Sequence, residues 1–201
     1  MSSVLVKNYT NKSDYDKKEI FRYLGTKETD NYTEKLIDEC IKECNSLIKM
    51  SVCYTYSDYD NIDEKLCFDG FEAESSDLEK NLFKCERAVI FAATIGMGID
   101  RLISKYSLVS PSKALIFQAI GAERIETLCD MFNEEIRIEE EKNGYKLKSR
   151  YSPGYGNLSL SVQKDIFRVL DCEKKNGLTL GENLLMSPSK SVTAFIGIYR
   201  E

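Results

Sequence analysis

Histidine is absent from this chain, and no other feature of the sequence excludes as much. Without imidazole there is no Ser-His-Asp or Cys-His nucleophilic catalysis, no HExxH zinc site and no His-ligated metal. A cobalamin-binding motif that needs an imidazole for cobalt is excluded as well. Any general acid–base work falls to Asp, Glu, Lys, Tyr or Cys. A basic excess is also missing: 28 Lys and Arg face 33 Asp and Glu, a net charge of −5. Nothing is left to displace counterions from phosphates, so no nucleic-acid partner is expected. No apolar run approaches the ~20 residues of a membrane span, so no membrane partner is expected either. No charged segment followed by an apolar one opens the chain, so no secretory signal is read there. Only three prolines occur, and no Pro/Gly/Ser linker, repeat or low-complexity tract divides the 201 residues. One domain over 1–201 is therefore expected.

What is present describes a soluble globular protein: 42% hydrophobic and 30% charged residues. A chain of this size buries roughly 70% of its unfolded surface and needs no staple. The seven cysteines are odd in number and scattered, which fits a reduced, cytoplasmic protein whose thiols act as small core hydrophobes. Cys40 and Cys44 stand four apart, but a radical-type iron–sulfur motif would put a third cysteine at Leu47 and a zinc site would need a second pair. Packing is the reading they favour.

The spacing of apolar residues predicts a short helix from Asp16 to Leu24 ended by Gly25, and a stronger one capped by Thr33 with a stripe from Leu36 to Ile48. Ser51–Ser57 and Lys65–Phe71 read as strands that pair as a hairpin about a polar turn at 58–61. Ser76 reads as the cap of a helix through Cys85, and Ala88–Thr94 as a fully buried central strand. Ile95-Gly96-Met97-Gly98 resembles half of a phosphate loop but lacks the remaining glycine or Lys-Ser/Thr, so a turn before a helix at Ile99–Tyr106 is favoured. Ser110 and Pro111 open the longest helix, of about nine turns, running toward Gly144. A strand at Lys146–Ser149, a loop at Arg150–Gly156, a helix at Val162–Leu170 stopped by Asn176-Gly177 and a half-buried strand from Val192 complete the chain. With no regular βαβ repeat, the class is α+β: a single domain with an antiparallel sheet and flanking helices, one of them long.

Two places carry chemistry. In the loop, Pro153 fixes one φ while Gly154 and Gly156 permit close backbone approach. Arg150 offers a planar fork for a carboxylate, and Tyr155 an aromatic face beside a hydroxyl. A tight turn with a surface arginine is the competing reading. On the long helix, Glu126 has Ala119, Ala122 and Cys129 on its side, which leaves space above the carboxylate for a ligand. A solvated acidic face with Glu123, Asp130, Glu134 and Glu135 is the alternative there.

Taken together, Arg150-Tyr-Ser-Pro-Gly-Tyr-Gly156, Ser161-Val-Gln-Lys-Asp-Ile-Phe167, Gly177-Leu-Thr-Leu180 and Met186-Ser-Pro-Ser-Lys-Ser-Val192 resemble the activation domain of cobalamin-dependent methionine synthase, most closely its stand-alone bacterial versions. Ile125-Glu-Thr-Leu-Cys-Asp130 resembles the family's long-helix motif, and Glu19-Ile-Phe-Arg-Tyr-Leu-Gly25 the opening of the stand-alone members. The likeness is strongest over 110–198.

The resemblance implies a twisted antiparallel sheet flanked by helices, with S-adenosylmethionine in a groove. It implies a role in reactivating oxidised cobalamin, by a methyl group from that ligand and an electron from a flavodoxin-type donor. By the same resemblance Arg150 holds the ligand carboxylate, Ser152 and Gly154 present backbone, Tyr155 sits near the sulfonium, and Glu126 supplies negative charge. The cobalamin would come from a partner methionine synthase lacking its own activation domain. A non-catalytic S-adenosylmethionine-sensing or docking subunit for another corrinoid methyltransferase is the alternative. The chain departs from the pattern at Gly181-Glu182-Asn183, where the family usually shows Thr-Glu-Ser. A later family tyrosine has no counterpart, and a family aspartate is not placed among Asp14, Asp16 and Asp30. Weaker ligand binding than in fused domains is the expectation.

Overall fold

The computed structural model describes residues 3–12, 14–27, 30–63 and 65–200. In chain order, β1 (Leu5–Tyr9), α1 (Lys17–Tyr23) and α2 (Asn31–Cys44) lead through a 3-10 turn into β2 (Met50–Ser57), β3 (Tyr59–Ile62), β4 (Lys65–Phe68) and β5 (Phe71–Ala73). Then come α3 (Ser76–Asn81), β6 (Cys85–Thr94), α4 (Gly98–Tyr106) and α5 (Pro111–Glu141). The chain closes with β7 (Lys146–Leu147), α6 (Val162–Leu170), α7 (Cys172–Asn176), β8 (Thr179–Leu180), β9 (Met186–Ser187) and β10 (Ser191–Tyr199).

The main sheet has five antiparallel strands in the order β1-β2-β6-β10-β7, so the class is α+β and the apolar run Ala88–Thr94 lies in the central strand. Side chains of β6 alternate between two cores. Val89, Phe91 and Ala93 meet α1, α2, α4 and α5 on one face, and Ala88, Ile90 and Ala92 meet α6 and α7 on the other. The same holds for β10: Ala194, Ile196 and Ile198 enter the first core and Phe195 the second. The strand is therefore buried on both faces, not half-buried as its alternation predicts, because helices cover the sheet twice over. Cys40 and Cys44 are fully buried in the first core, as packing residues.

The predicted hairpin between 51–57 and 65–71 does not form. Both edges of β2 are taken by β1 and β6, while β4 pairs with β3 and β5 in a separate three-stranded sheet. Residues 59–61, read as a turn, are part of β3, and Asp63 turns the chain at φ 50°. Three helix ends also differ from expectation. Asp30 rather than Thr33 caps α2, its carboxylate accepting the Thr33 N–H at 2.7 Å. Ser75 caps α3, which stops well before Cys85. α6 ends at Asp171, in the left-handed region, and α7 is the element that Gly177 closes.

The glycines of the phosphate-loop-like string have packing roles. Gly96 takes φ 77°, and a Cβ on Gly98 would stand 2.3 Å from the Leu47 carbonyl oxygen. Among the described residues no helix is long and apolar enough to cross a membrane.

Candidate functional site

The 31-residue helix α5 carries the acidic half of the site. Pro111 at its first turn suits the fixed φ of proline, and no glycine follows Gly121 until Gly144, so the helix runs unbroken past Glu126. Glu126 and Asp130 are one turn apart and project to the same side. Cys129 is buried behind them, and burial pushes its thiol up to about 12, so it is a neutral packing group.

The basic half comes from the loop after β7. Arg150 Nη1 donates to Asp130 Oδ1 at 2.6 Å and Nη2 to Glu126 Oε2 at 3.2 Å. Burial alone would lower the guanidinium pKa, but the Asp130 hydrogen bond and the neighbouring negative charges outweigh it and raise it further. Arg150 is thus neither a free surface arginine nor Glu126 a merely solvated carboxylate: each is the other's partner.

The loop is held in place by β10 and α3. Tyr151 exchanges two backbone hydrogen bonds with Phe195 of β10, at 3.0 and 2.8 Å. Asn157 bridges to α3, donating to Asp77 Oδ2 and Ser76 Oγ and accepting from Ser75 Oγ at 2.6 Å. Gly156 takes φ 51° where a Cβ would lie 2.5 Å from both Asp77 Oδ2 and the Tyr151 hydroxyl, which requires glycine there.

Between α5, this loop, α6 and the start of β10 lies a cavity of about 500 Å³, lined by Glu126, Arg150, Tyr151, Ser152, Pro153, Tyr155, Gln163, Met186, Ser191, Val192 and Thr193. The structure therefore brings Glu126, Arg150, Ser152 and Tyr155 to one space. Tyr155 is 69% exposed at its mouth. Gly154 is not among the lining residues; its N–H donates to the Leu158 carbonyl at 2.9 Å, and it serves the loop at φ 91°. Asp14, Asp16 and Asp30 are not among the residues lining the cavity. Asp16 caps α1, Asp30 caps α2, and the Asp14 carbonyl accepts from Arg124.

Sequence reasoning assigned no role to Gln163 or Thr193. Gln163 is 5% and Thr193 2% exposed, yet Gln163 Oε1 and Thr193 Oγ1 have no hydrogen-bond partner among the described residues. Leaving such groups unmet costs about 1–3 kcal/mol each. The signal was available: Gln163 sits beside Val162 on the buried face of α6, and Thr193 two residues before Phe195 on one face of β10. At both positions the apolar pattern calls for a hydrophobe. Chemically, the cavity wall carries a guanidinium and a carboxylate suited to a zwitterion, together with neutral polar side chains.

Comparison with known proteins bears on the family and the fold. Residues 61–200 match the family model of the vitamin B12 dependent methionine synthase activation domain. Among solved structures the chain is similar to a MetH reactivation domain crystallised bound to AdoHcy, with a TM-score of 0.73 and 14% identity over 98% of this chain and 78% of that one. At that identity the likeness bears on the fold. No curated protein matches significantly. The family match covers well over half of the chain, reaches back from the 110–198 region into β3, and includes every residue of the cavity: the chain belongs to the activation-domain family of vitamin B12-dependent methionine synthase.

Proposed function

We propose that the cavity binds S-adenosylmethionine and presents its methyl group to the cobalamin of a partner methionine synthase, supporting reductive reactivation with a flavodoxin-type electron donor in the cytoplasm. The observation that carries this reading is the convergence of Arg150, Glu126 and Tyr155 on one cavity of about 500 Å³, a volume typical of small-molecule sites. Membership of the family supports it, as does the AdoHcy carried by the structurally similar reactivation domain.

The ligand supplies an activated methyl group on positive sulfur. Arg150 directs two of its five N–H groups at α5, leaving others for the α-carboxylate, a charge-assisted bond worth about 1.5–3 kcal/mol. Glu126 attracts the ammonium and the sulfonium. The face of Tyr155 adds about 0.5–2 kcal/mol to a cation held against it. The thioether left behind is neutral and needs no proton, so the work of these residues is positioning. A chain without histidine is equipped for that.

The test mixes the protein with a cobalamin-loaded methionine synthase that lacks its activation domain, a reductant and methyl-labelled S-adenosylmethionine. Label on the corrinoid, dependent on this chain, is expected. Ligand binding without label transfer to any such partner would contradict the reactivation role and leave a sensing or docking subunit.

A further inference from the structure

A glycine inside a long helix weakens it, so Gly121 of α5 calls for a reason, and its surroundings supply one. A Cβ there would lie 2.9 Å from Lys190 Cγ, 3.0 Å from Lys190 Cε and 2.9 Å from Ile99 Cγ2 of α4. The bare backbone is thus a notch between α4 and α5, and the Lys190 stem lies in it. Lys190 belongs to the turn between β9 and β10. Met186 before that turn, and Ser191 and Val192 at its end, line the cavity. α4 holds the same turn a second way. Asp100, in the first turn of that helix, accepts the Ser189 N–H at Oδ1 at 3.2 Å. The Lys190 carbonyl accepts from the Ile95 N–H, also at 3.2 Å. The Ser191 hydroxyl lies 2.8 Å from the Pro188 carbonyl oxygen and 2.9 Å from the Thr94 hydroxyl. Burial lowers the Lys190 ammonium pKa and the Asp100 carboxylate opposes that shift, so the two side chains are within electrostatic reach.

We infer that Asp100, Gly121 and Lys190 are positioning residues: they seat the turn at 187–191 on α4 and α5, and so fix where Ser191 and Val192 stand relative to Glu126. None of the three lines the cavity, so they act through the turn and not on the ligand. Gly121 and Glu126 share one unbroken helix, about 7.5 Å apart along its axis. The notch therefore sets the β10 wall against the same rigid element that carries the acidic half of the site. Ties from outside are needed because β9 is only two residues long and holds its end of the turn weakly. Any side chain at 121 would push the Lys190 stem out, since Ile99 closes the notch from α4. The inference rests on the S-adenosylmethionine reading above and adds the residues that shape the wall.

The experiment measures S-adenosylhomocysteine binding by calorimetry, beside a thermal melt, in wild type and two sets of variants. Asp100→Ala removes the acceptor of the Ser189 N–H and should weaken binding about three- to tenfold, the ratio one lost hydrogen bond supports. Asp100→Asn keeps an oxygen there and should restore affinity to within about twofold of wild type. In the second set, Gly121→Ala fills the notch and Lys190→Ala removes the stem, and each should weaken binding several-fold. Their double variant should be no weaker than the worse single one, because both break the same contact. Either set decides if a variant of the other fails to fold. Wild-type affinity in Asp100→Ala and Gly121→Ala would overturn the positioning role while the S-adenosyl reading stands. Equal losses in Asp100→Asn and Asp100→Ala, or fully additive losses at 121 and 190, would overturn it too. No binding to wild type would overturn both.

Discussion

Arg150→Ala is expected to weaken S-adenosylmethionine binding by about ten- to 150-fold, the equivalent of a charge-assisted bond of about 1.5–3 kcal/mol. The guanidinium is the positive group of the cavity wall, and its Nη1 and Nη2 contacts to Asp130 and Glu126 aim it from the α5 side toward the space between. Removing it does more than delete a bond. Glu126 and Asp130 would then face the ligand carboxylate with nothing between them, so repulsion adds to the loss. Arg150→Lys should recover little, because a point charge cannot serve two carboxylates on the helix and a third on the ligand in one plane. Stability should change little, since partly exposed ion pairs contribute about 0–1 kcal/mol. Isothermal titration with a parallel thermal melt reads both quantities. Unchanged affinity at an unchanged melting temperature would remove Arg150 from the site.

Arg124→Ala should have the largest effect on stability, lowering the unfolding free energy by about 3–5 kcal/mol, as for other buried pairs that lose one partner. Arg124 and Glu123 are 1% and 2% exposed, and the guanidinium donates to the Glu123 carboxylate. It also donates to the Lys12 and Asp14 carbonyls at 3.2 Å and lies 4.1 Å from the centre of the Tyr15 ring. One side chain thus ties the segment before α1 to the middle of α5. Its loss leaves the Glu123 carboxyl buried without its partner and frees that segment. A double variant, Glu123→Gln with Arg124→Met, should be far less destabilised because no unpaired charge remains. Urea unfolding of both variants measures this; equal destabilisation would show that the pair is not the cause.

The elements that were legible in the sequence are those whose residues agree with a single period. The run Ala88–Thr94 is apolar on both faces because the strand has a core on each side, and α6 and the long helix show their apolar stripes directly, the latter with Pro111 at its start. The β2–β4 hairpin was misread because pairing depends on which edges are free, and β1, distant in sequence, takes the edge of β2. Alternation in β10 predicted a solvent face because a second layer of helices leaves no mark on a strand of its own. In the site, the loop glycines and Arg150 announced themselves by residue type. Asp130 did not, since an acidic residue on an acidic helix looks solvated until the loop that meets it is placed. Gln163 and Thr193 were legible as motif and strand residues, but their unmet hydrogen bonds exist only once the fold closes around them.

The most direct measurement is a titration of isotope-labelled protein with S-adenosylmethionine, followed through backbone amide shifts. Binding at the proposed place predicts saturable shifts concentrated in Arg150–Gly156, around Gln163 and in Ser191–Thr193, with the β3–β4 hairpin unaffected. No saturable shifts at millimolar ligand, or shifts gathered instead in the groove lined by Leu24, Leu36 and Leu115, would contradict it.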